Sequence, residues 1–478
     1  MPIRNRSKRK KIIFLVYATV FAFFIFKMFF YAHFVGRFPD EVAHISYIAY
    51  LEQEHKIIPD FKSMTILIPK EKNNDLSAVK DILVSYPGPY IFGESVNYLG
   101  HPPLYYQLMR LSGGVKVQNG VASIDIWRLR YFNMVLSAFA MLLIFYIGYS
   151  RIRDIPILHL LFATICVSVP MLAYVSAGVN NDNLALLGVS LSVLGLLRFS
   201  EHKRTFFTYS LLSIGLYISV MSKLTAGLIV LLAFALYLVF ALITEKNLRF
   251  LKSKEFLVTL PVYLIAAAYF ALVHMQTGSF QPSYRLLDLQ GYLASDFYVP
   301  PASRTHMDFL QYAKYYIAAF LGTWTGIASN VSLLKDETAL YSLPQIGLVG
   351  LLVLPLLLSL QLGKNRPERP AALALFAFYL GLIITMIVQF LRAYLEYKNI
   401  SGYLGGYQSR YYLCGIAAIA LATVFAAGNI YGKETGKQGR GPARIIRQMT
   451  VQFAAFAFVL LLLYEDFGFF LKHFTDYL

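Results

Sequence analysis

Two carboxylates and a histidine stand within five residues of one another in FPDEVAHISYIAYLEQ: Asp40, Glu41 and His44. A carboxylate placed beside an acceptor hydroxyl takes its proton as that oxygen attacks. Pro39 closes the preceding extended run, and the spacing of Val42, Ile45, Ile48 and Ala49 predicts a helix from Asp40 onward. Asp40 and His44, four apart, share a face of that helix. Asp40 and Glu41, being adjacent, diverge by ~100°, so one of the two faces a given reacting atom. The plainer alternative is that Asp40 caps the helix and Glu41 complements its dipole.

Four more segments carry groups suited to chemistry on a charged substrate. GHPPLYYQLMRL (100–111) starts a turn and an amphipathic helix with His101 at its head. NNDN (180–183) offers Asp182, either a functional carboxylate or the cap of the helix that follows. Ser222-Lys223 lies in a very short turn between apolar runs, where a cation suits a phosphate or simply snorkels. GGYQSRYYL (405–413) brings Arg410, a planar fork for phosphate or an interfacial anchor. His33, His274 and His306 form no ligand spacing, so no protein-bound metal site is assigned. A carboxylate pair plus a phosphate could recruit a divalent cation, but nothing requires one. Cys166 and Cys414 lie in apolar runs and read as small buried hydrophobes.

The elements that position these groups are membrane helices. Of 478 residues, 57% are hydrophobic and 14% charged. A soluble core could not hide that much apolar surface. The fold class expected is an all-α polytopic membrane bundle of about eleven transmembrane helices. Apolar runs fall at 12–35, 131–150, 155–176, 183–199, 205–221, 224–243, 256–275, 343–362, 371–391, 409–428 and 448–470. The first is too long for a signal peptide and reads as a retained anchor. Its one internal charge, Lys27, snorkels or faces the bundle interior. Residues 315–334 are rich in Gly, Thr and Ser and read as an outer-face or re-entrant helix.

With that assignment, segments 1–11, 151–154, 198–204, 244–255, 363–370 and 429–447 share one face. They hold 23 of the 43 basic residues and 6 of the 26 acidic ones, so the whole formal excess of +17 lies there. That face is the cytoplasm by the positive-inside rule, which puts the N-terminus inside and the C-terminus outside. The excess is thus a topology signal with a contact to membrane lipids, and a nucleic-acid partner is rejected. The chain reads as a single membrane domain, 1–478. It has a large first outer loop with amphipathic helices (36–130), a second outer loop (276–342) and a basic cytoplasmic loop (429–447). Asp40, Glu41, His44, His101, Asp182, Lys223 and Arg410 all fall on the outer side. No Walker loop, dinucleotide fingerprint or nucleotide-sugar domain is present, so an enzyme here draws its donor from the membrane.

Together these positions resemble the GT-C superfamily of integral-membrane glycosyltransferases. DEVAHISYIAYLEQ is similar to the D-E-x-x-H-F-x-Y-I pattern of a little-characterised bacterial group. HPPLYYQL resembles its H-P-P-L-Y-Y element, NNDNLA its N-D-x-L and MSKLTA its S-K-x-T. GGYQSRYYL resembles its Q-G-R-Y, with Ser409 in place of the glycine, and FLGTWTG (320–326) resembles a small-aromatic segment. The resemblance implies a GT-C-like fold in the bacterial cytoplasmic (inner) membrane. It implies transfer of a sugar from a polyprenyl-phosphate donor to a glycan, lipid or protein acceptor. Asp40 is then the general base, with Glu41 the alternate base or an orienting group. Asp182 matches a second outer acidic position, and Lys223 and Arg410 would hold the donor phosphate as it leaves. His44 and His101 would contact donor or acceptor. Two other readings remain: a transporter or flippase of a lipid-linked glycan, and a polysaccharide polymerase or ligase using a diphosphate-linked donor.

Overall fold

The structure, a computed structural model, describes residues 3–35, 38–70, 88–245, 249–325, 343–361, 369–432 and 442–477. The chain opens with α1 (Ile3–Phe30), then α2 (Glu41–Glu54) and α3 (Leu104–Arg110). Around these lie strands β1 (Thr65–Pro69), β2 (Tyr90–Val96), β3 (Val115–Gln118) and β4 (Val121–Ile124). The bundle continues through α4 (Ile126–Arg151), α5 (Pro156–Val167), α6 (Pro170–Ala177), α7 (Asp182–Ser200), α8 (Phe206–Ser222), α9 (Leu224–Glu245) and α10 (Lys254–Thr277). Two short helices follow, α11 (Tyr284–Leu287) and α12 (Leu289–Ala294). Then come α13 (Phe309–Thr325), α14 (Leu343–Val353), α15 (Arg369–Glu396), α16 (Ile416–Gly432) and α17 (Pro442–Tyr477).

The fold is a polytopic helical bundle. Among the described residues eight helices are long and apolar enough to cross a membrane, or nine if α5 and α6 form one bent span. The remaining two expected spans, 205–221 and 343–362, are shorter apolar helices at Phe206–Ser222 and Val349–Ser359. Within the second, the α-helix Leu343–Val353 gives way to a tighter helical stretch over Leu354–Gln361, where Pro355 has no N–H to donate. The expected re-entrant segment 315–334 is helical as far as Thr325, and its remainder lies outside the described residues. So do residues 433–441 of the basic loop 429–447.

Lys27 faces the interior and does not snorkel. Proline at the first position of α6 breaks the α5–α6 run with a 56° bend. Lys27 Nζ donates to the Val167 carbonyl at this break (2.6 Å) and to Asp466 Oδ2 of α17 (2.7 Å), with both charged side chains fully buried. A charge in hydrocarbon is tolerated when paired in this way.

The first loop contains a four-stranded antiparallel sheet in the order β1-β2-β4-β3, which the helical expectation lacked. β3 and β4 are joined by Asn119-Gly120, both at positive φ (51° and 75°), the two-residue turn whose twist matches a hairpin. α2 is stitched to this cap by Asn97 Nδ2 donating to the Ala43 carbonyl (2.8 Å) and by the Leu67 N–H donating to Ser46 Oγ (2.9 Å). The buried apolar side chains of α2, α3 and the sheet form one cluster with Val179, Leu184, Val220 and Met221, so the cap rests on the adjoining ends of α7 and α8.

Those ends meet because α7 and α8 pack through small residues. A Cβ on Gly188 would stand 2.7 Å from the Ser219 backbone nitrogen, and one on Gly215 would stand 2.7 Å from that of Ser192. Backbones at this separation bring the first residue of α7, Asp182, beside the residue after α8, Lys223. At the far ends, Arg151 pairs with Glu201 (2.6 Å), joining two segments expected on the cytoplasmic side.

Candidate active site

Asp40 occupies the residue before α2 in the left-handed region (φ 58°), which aspartate tolerates better than most side chains. Its carboxylate makes no capping bond. Oδ1 accepts from the Tyr98 hydroxyl (2.8 Å), and Oδ2 accepts from the Arg410 guanidinium across a separation of 370 residues. Burial, the largest single effect, opposes ionisation of Asp40, but the Arg410 guanidinium, His44 and the hydrogen bonds from Arg410 and Tyr98 together hold the carboxyl well below the usual carboxylate range. His44, one turn on, shares the face of Asp40 as the spacing predicts, and both line one cavity.

Glu41 points elsewhere. Its two oxygens accept from Arg130 Nε (3.1 Å) and Nη2 (2.6 Å), and Oε1 also accepts from the Val179 N–H (3.0 Å). Arg130 donates in addition to the Ala32 carbonyl (3.0 Å) and lies over the rings of Phe38 (4.7 Å) and Trp127 (5.5 Å). Glu41 is 5% exposed, Arg130 is sealed, and neither is among the residues lining the cavity. This clamp ties the exit of α1, the start of α2, α4 and the turn before α7. It therefore fixes both Asp40, one residue away, and Asp182, three residues beyond Val179. The divergence of adjacent side chains was legible in the sequence. The environment of Glu41 favours a positioning role over that of alternate base.

Asp182 does not cap α7 with its side chain. The Asn180 side chain accepts from the Asp182 N–H instead (3.0 Å). Asn181 Nδ2 donates to the Ser222 carbonyl (2.7 Å), while Asp182 Oδ1 accepts from Lys223 Nζ, so the NNDN and Ser-Lys turns close on each other. Lys223 has extended backbone (φ −153°, ψ 122°) between α8 and α9, which turns its side chain out of the helical path. Burial pushes its ammonium down from the ordinary value, and Asp182 opposes that. Lys223 Nζ lies 4.4 Å and the Arg410 guanidinium 5.4 Å from the centre of the same ring, Tyr411, so one aromatic ring contacts both cations. Arg410 is set by a tight turn over Ser409–Gly415, whose first N–H donates to Thr323 Oγ1 (3.0 Å). Ser409 thus meets the FLGTWTG segment directly.

His101 and His44 stack with ring centres 6.3 Å apart. His44 Nδ1 is hydrogen-bonded to the Tyr106 hydroxyl (2.9 Å), and His101 Nδ1 lies 3.3 Å from Gln281 Nε2. Burial, and then the nearby Lys223, push His101 down to about 4; burial takes His44 well below its ordinary value. Both are neutral near pH 7 and offer hydrogen bonds rather than charge.

These groups surround a cavity of about 470 Å³. Asp40, His44, His101, Lys223 and Arg410 line it, and Asp182 stands behind Lys223. Its wall also takes residues from 98–101, 281–284 and 403–411, and Gln389, Arg392, Ala393 and Glu396 of α15, in or beside segments expected on the outer side. Tyr98, Gln281, Tyr411 and Arg130 contact these groups and were not among the candidate site residues read from the sequence. An arginine near the start of a membrane helix was a usable signal for Arg130; Tyr411 follows Arg410 in the Q-G-R-Y-like element, and nothing marked Tyr98 or Gln281. Among the described residues no group of three His, Cys, Asp or Glu side chains could hold a metal ion.

Fold and site define a polytopic helical membrane protein with a charged cavity at one end of its bundle. No protein-family model matches the sequence, and no curated protein matches it. Among solved structures, ArnT from Cupriavidus metallidurans bound to undecaprenyl phosphate aligns with a TM-score of 0.44 at 13% identity, over 95% of this chain and 77% of that one. ArnT from the same organism in the apo state aligns with a TM-score of 0.32 at 12% identity, over 84% of this chain and 78% of that one.

Proposed function

We propose that this chain is a glycosyltransferase. It moves a sugar from a polyprenyl-phosphate donor to an acceptor hydroxyl at the non-cytoplasmic face of the membrane. One observation carries the reading: a carboxylate, Asp40, and two cations, Lys223 and Arg410, converge on a single cavity from widely separated parts of the chain. The order of the motifs that resemble the GT-C superfamily supports it, as does the basic excess on the opposite face.

Arg410 and Lys223 grip the donor phosphate. As the bond from the anomeric carbon to the phosphate oxygen breaks, its electron pair stays on the phosphate, and the two cations stabilise the charge that develops. Asp40 takes the proton of the acceptor hydroxyl as that oxygen bonds to the anomeric carbon. Asp182 orients Lys223. His44 and His101, neutral, hydrogen-bond donor or acceptor hydroxyls. Glu41 with Arg130 holds the frame. No step is routed through a metal ion, since the side chains present supply the charge and the base.

The test is transfer or release of labelled sugar from polyprenyl-phosphate donors by the purified protein. Wild type turns over, and Asp40→Asn, folded, does not. An Asp40→Asn variant with wild-type turnover would end the assignment.

A further inference from the structure

The cations that would hold the donor phosphate are already occupied. Arg410 is paired with Asp40 and Lys223 with Asp182, and the four groups sum to zero formal charge. Both cations contact one ring, Tyr411, which lines the cavity. The second oxygen of Asp182, Oδ2, is buried and among the described residues has no hydrogen-bond partner. A phosphate entering this cavity meets Asp40 on its wall and, behind Lys223, Asp182, each already seated on a cation the phosphate needs.

We propose that Asp40 and Asp182 are built-in stand-ins for the donor phosphate, which displaces both from their cations and thereby frees Asp40 to act as the base. The idea deepens the reading above and rests on it. Asp40 does not lose its place when Arg410 turns to the phosphate, because Tyr98 still donates to Oδ1. Asp182 keeps a favourable site without Lys223, because it lies in the first turn of a 19-residue helix. Until the donor arrives, Asp40 is tied to a guanidinium and is a poor proton acceptor. Water or acceptor alone therefore cannot engage an active base. After transfer the proton is on Asp40, the sugar is on the acceptor oxygen, and the bond-breaking electron pair is on the phosphate. Return of Asp182 to Lys223 then competes with the product phosphate and aids its release. Asp182 in this scheme is a positioning residue with an effect on binding opposite to that of an ordinary ligand.

The experiment measures the affinity of a C55 polyprenyl monophosphate for the protein in nanodiscs, with a chelator present. Wild type is compared with Asp40→Asn, Asp182→Asn, Lys223→Met and Arg410→Gln, and thermal melting confirms each fold. Removing one competing charge near the phosphate should tighten binding about tenfold in each Asn variant. Asp40→Asn then pairs tighter binding with lost turnover, a split that simple structural damage does not produce. Asp40→Ser and Asp182→Ser serve if an Asn variant fails to fold. Unchanged or weaker binding in the carboxylate variants, with binding lost in the cation variants, overturns the stand-in idea and leaves the phosphate site intact. Wild-type binding in both cation variants overturns the phosphate site itself.

Discussion

Asp40 and Glu41 are neighbours in sequence, both acidic and both paired with arginine, yet they have unlike surroundings. The Asp40–Arg410 pair opens on the cavity. The Glu41–Arg130 pair is sealed between four elements, its hydrogen bonds to Ala32 and Val179 directed into the protein. The difference shows that ion-pair chemistry alone does not mark a functional group. A pair that a substrate can reach can exchange partners during a reaction. A pair walled off by Phe38, Trp127 and backbone serves to hold geometry. Lys27–Asp466 is a second pair of the sealed kind, at the break between α5 and α6.

That contrast can be broken most sharply at Asp40. Replacing a general base lowers turnover by roughly 10²- to 10⁴-fold. Asp40→Asn should do so in a protein that still folds, with a smaller loss of melting temperature than a sealed pair would show because this pair opens on the cavity, read by sugar-transfer assay and thermal denaturation. Arg130→Met should act on stability, because it leaves a buried carboxylate without its partner, at a cost of about 3–5 kcal/mol. Denaturation in detergent should show this loss, and Glu41→Gln combined with Arg130→Met should recover part of it. Full stability in Arg130→Met, or turnover lost to Glu41→Gln at normal stability, would blur the distinction between the two pairs.

Protonation sharpens the comparison further. Asp40 is held below the ordinary carboxylate range, so the stability it contributes is complete above that range. It is lost only as pH falls through the depressed folded value. From pH 5 to 8 the cavity pair should therefore contribute a constant amount. His101, pushed down to about 4, stays neutral across the same interval. Affinity for a polyprenyl-phosphoryl sugar, whose phosphodiester charge is constant there, should show no histidine step. A step near pH 6.5 that disappears in His101→Asn would contradict the neutral assignment. The smallest expected effect is at Thr323, whose hydroxyl accepts from the Ser409 N–H. Thr323→Val removes that bond and those the hydroxyl donates to the Phe320 (2.9 Å) and Tyr407 (3.4 Å) carbonyls, at about 1 kcal/mol for a well-made one, and the Michaelis constant for donor should rise a few-fold with turnover little changed.

Much of this was readable from residue order, for identifiable reasons. Apolar run length and charge asymmetry give membrane spans directly, since hydrocarbon thickness and surface potential act on sequence locally. The 3.6-residue period placed Asp40 and His44 on one face and separated Glu41 from them. It could not say which of the two acids meets the cavity, because that depends on Arg130, 89 residues away from Glu41. The pairing of Asp40 with Arg410 and of Asp182 with Lys223 is likewise a property of helix packing, set by Gly188 and Gly215 among others. The sheet was overlooked for a different reason. Its strands are four to seven residues long in a loop read as amphipathic helices, although Asn119-Gly120 between Val-rich runs is a hairpin signal. Lys27 illustrates a real limit. A lysine inside an apolar run must pair or snorkel, and only the position of Asp466 in the folded bundle decides between them.

The most direct measurement is a cryo-EM structure of the protein in nanodiscs with a C55 polyprenyl monophosphate bound. The account predicts the phosphate between Lys223 and Arg410, with Asp40 released from the guanidinium but still held by Tyr98, and with Glu41 unmoved on Arg130. A phosphate bound elsewhere, or both cations still paired with their carboxylates beside it, would contradict the account.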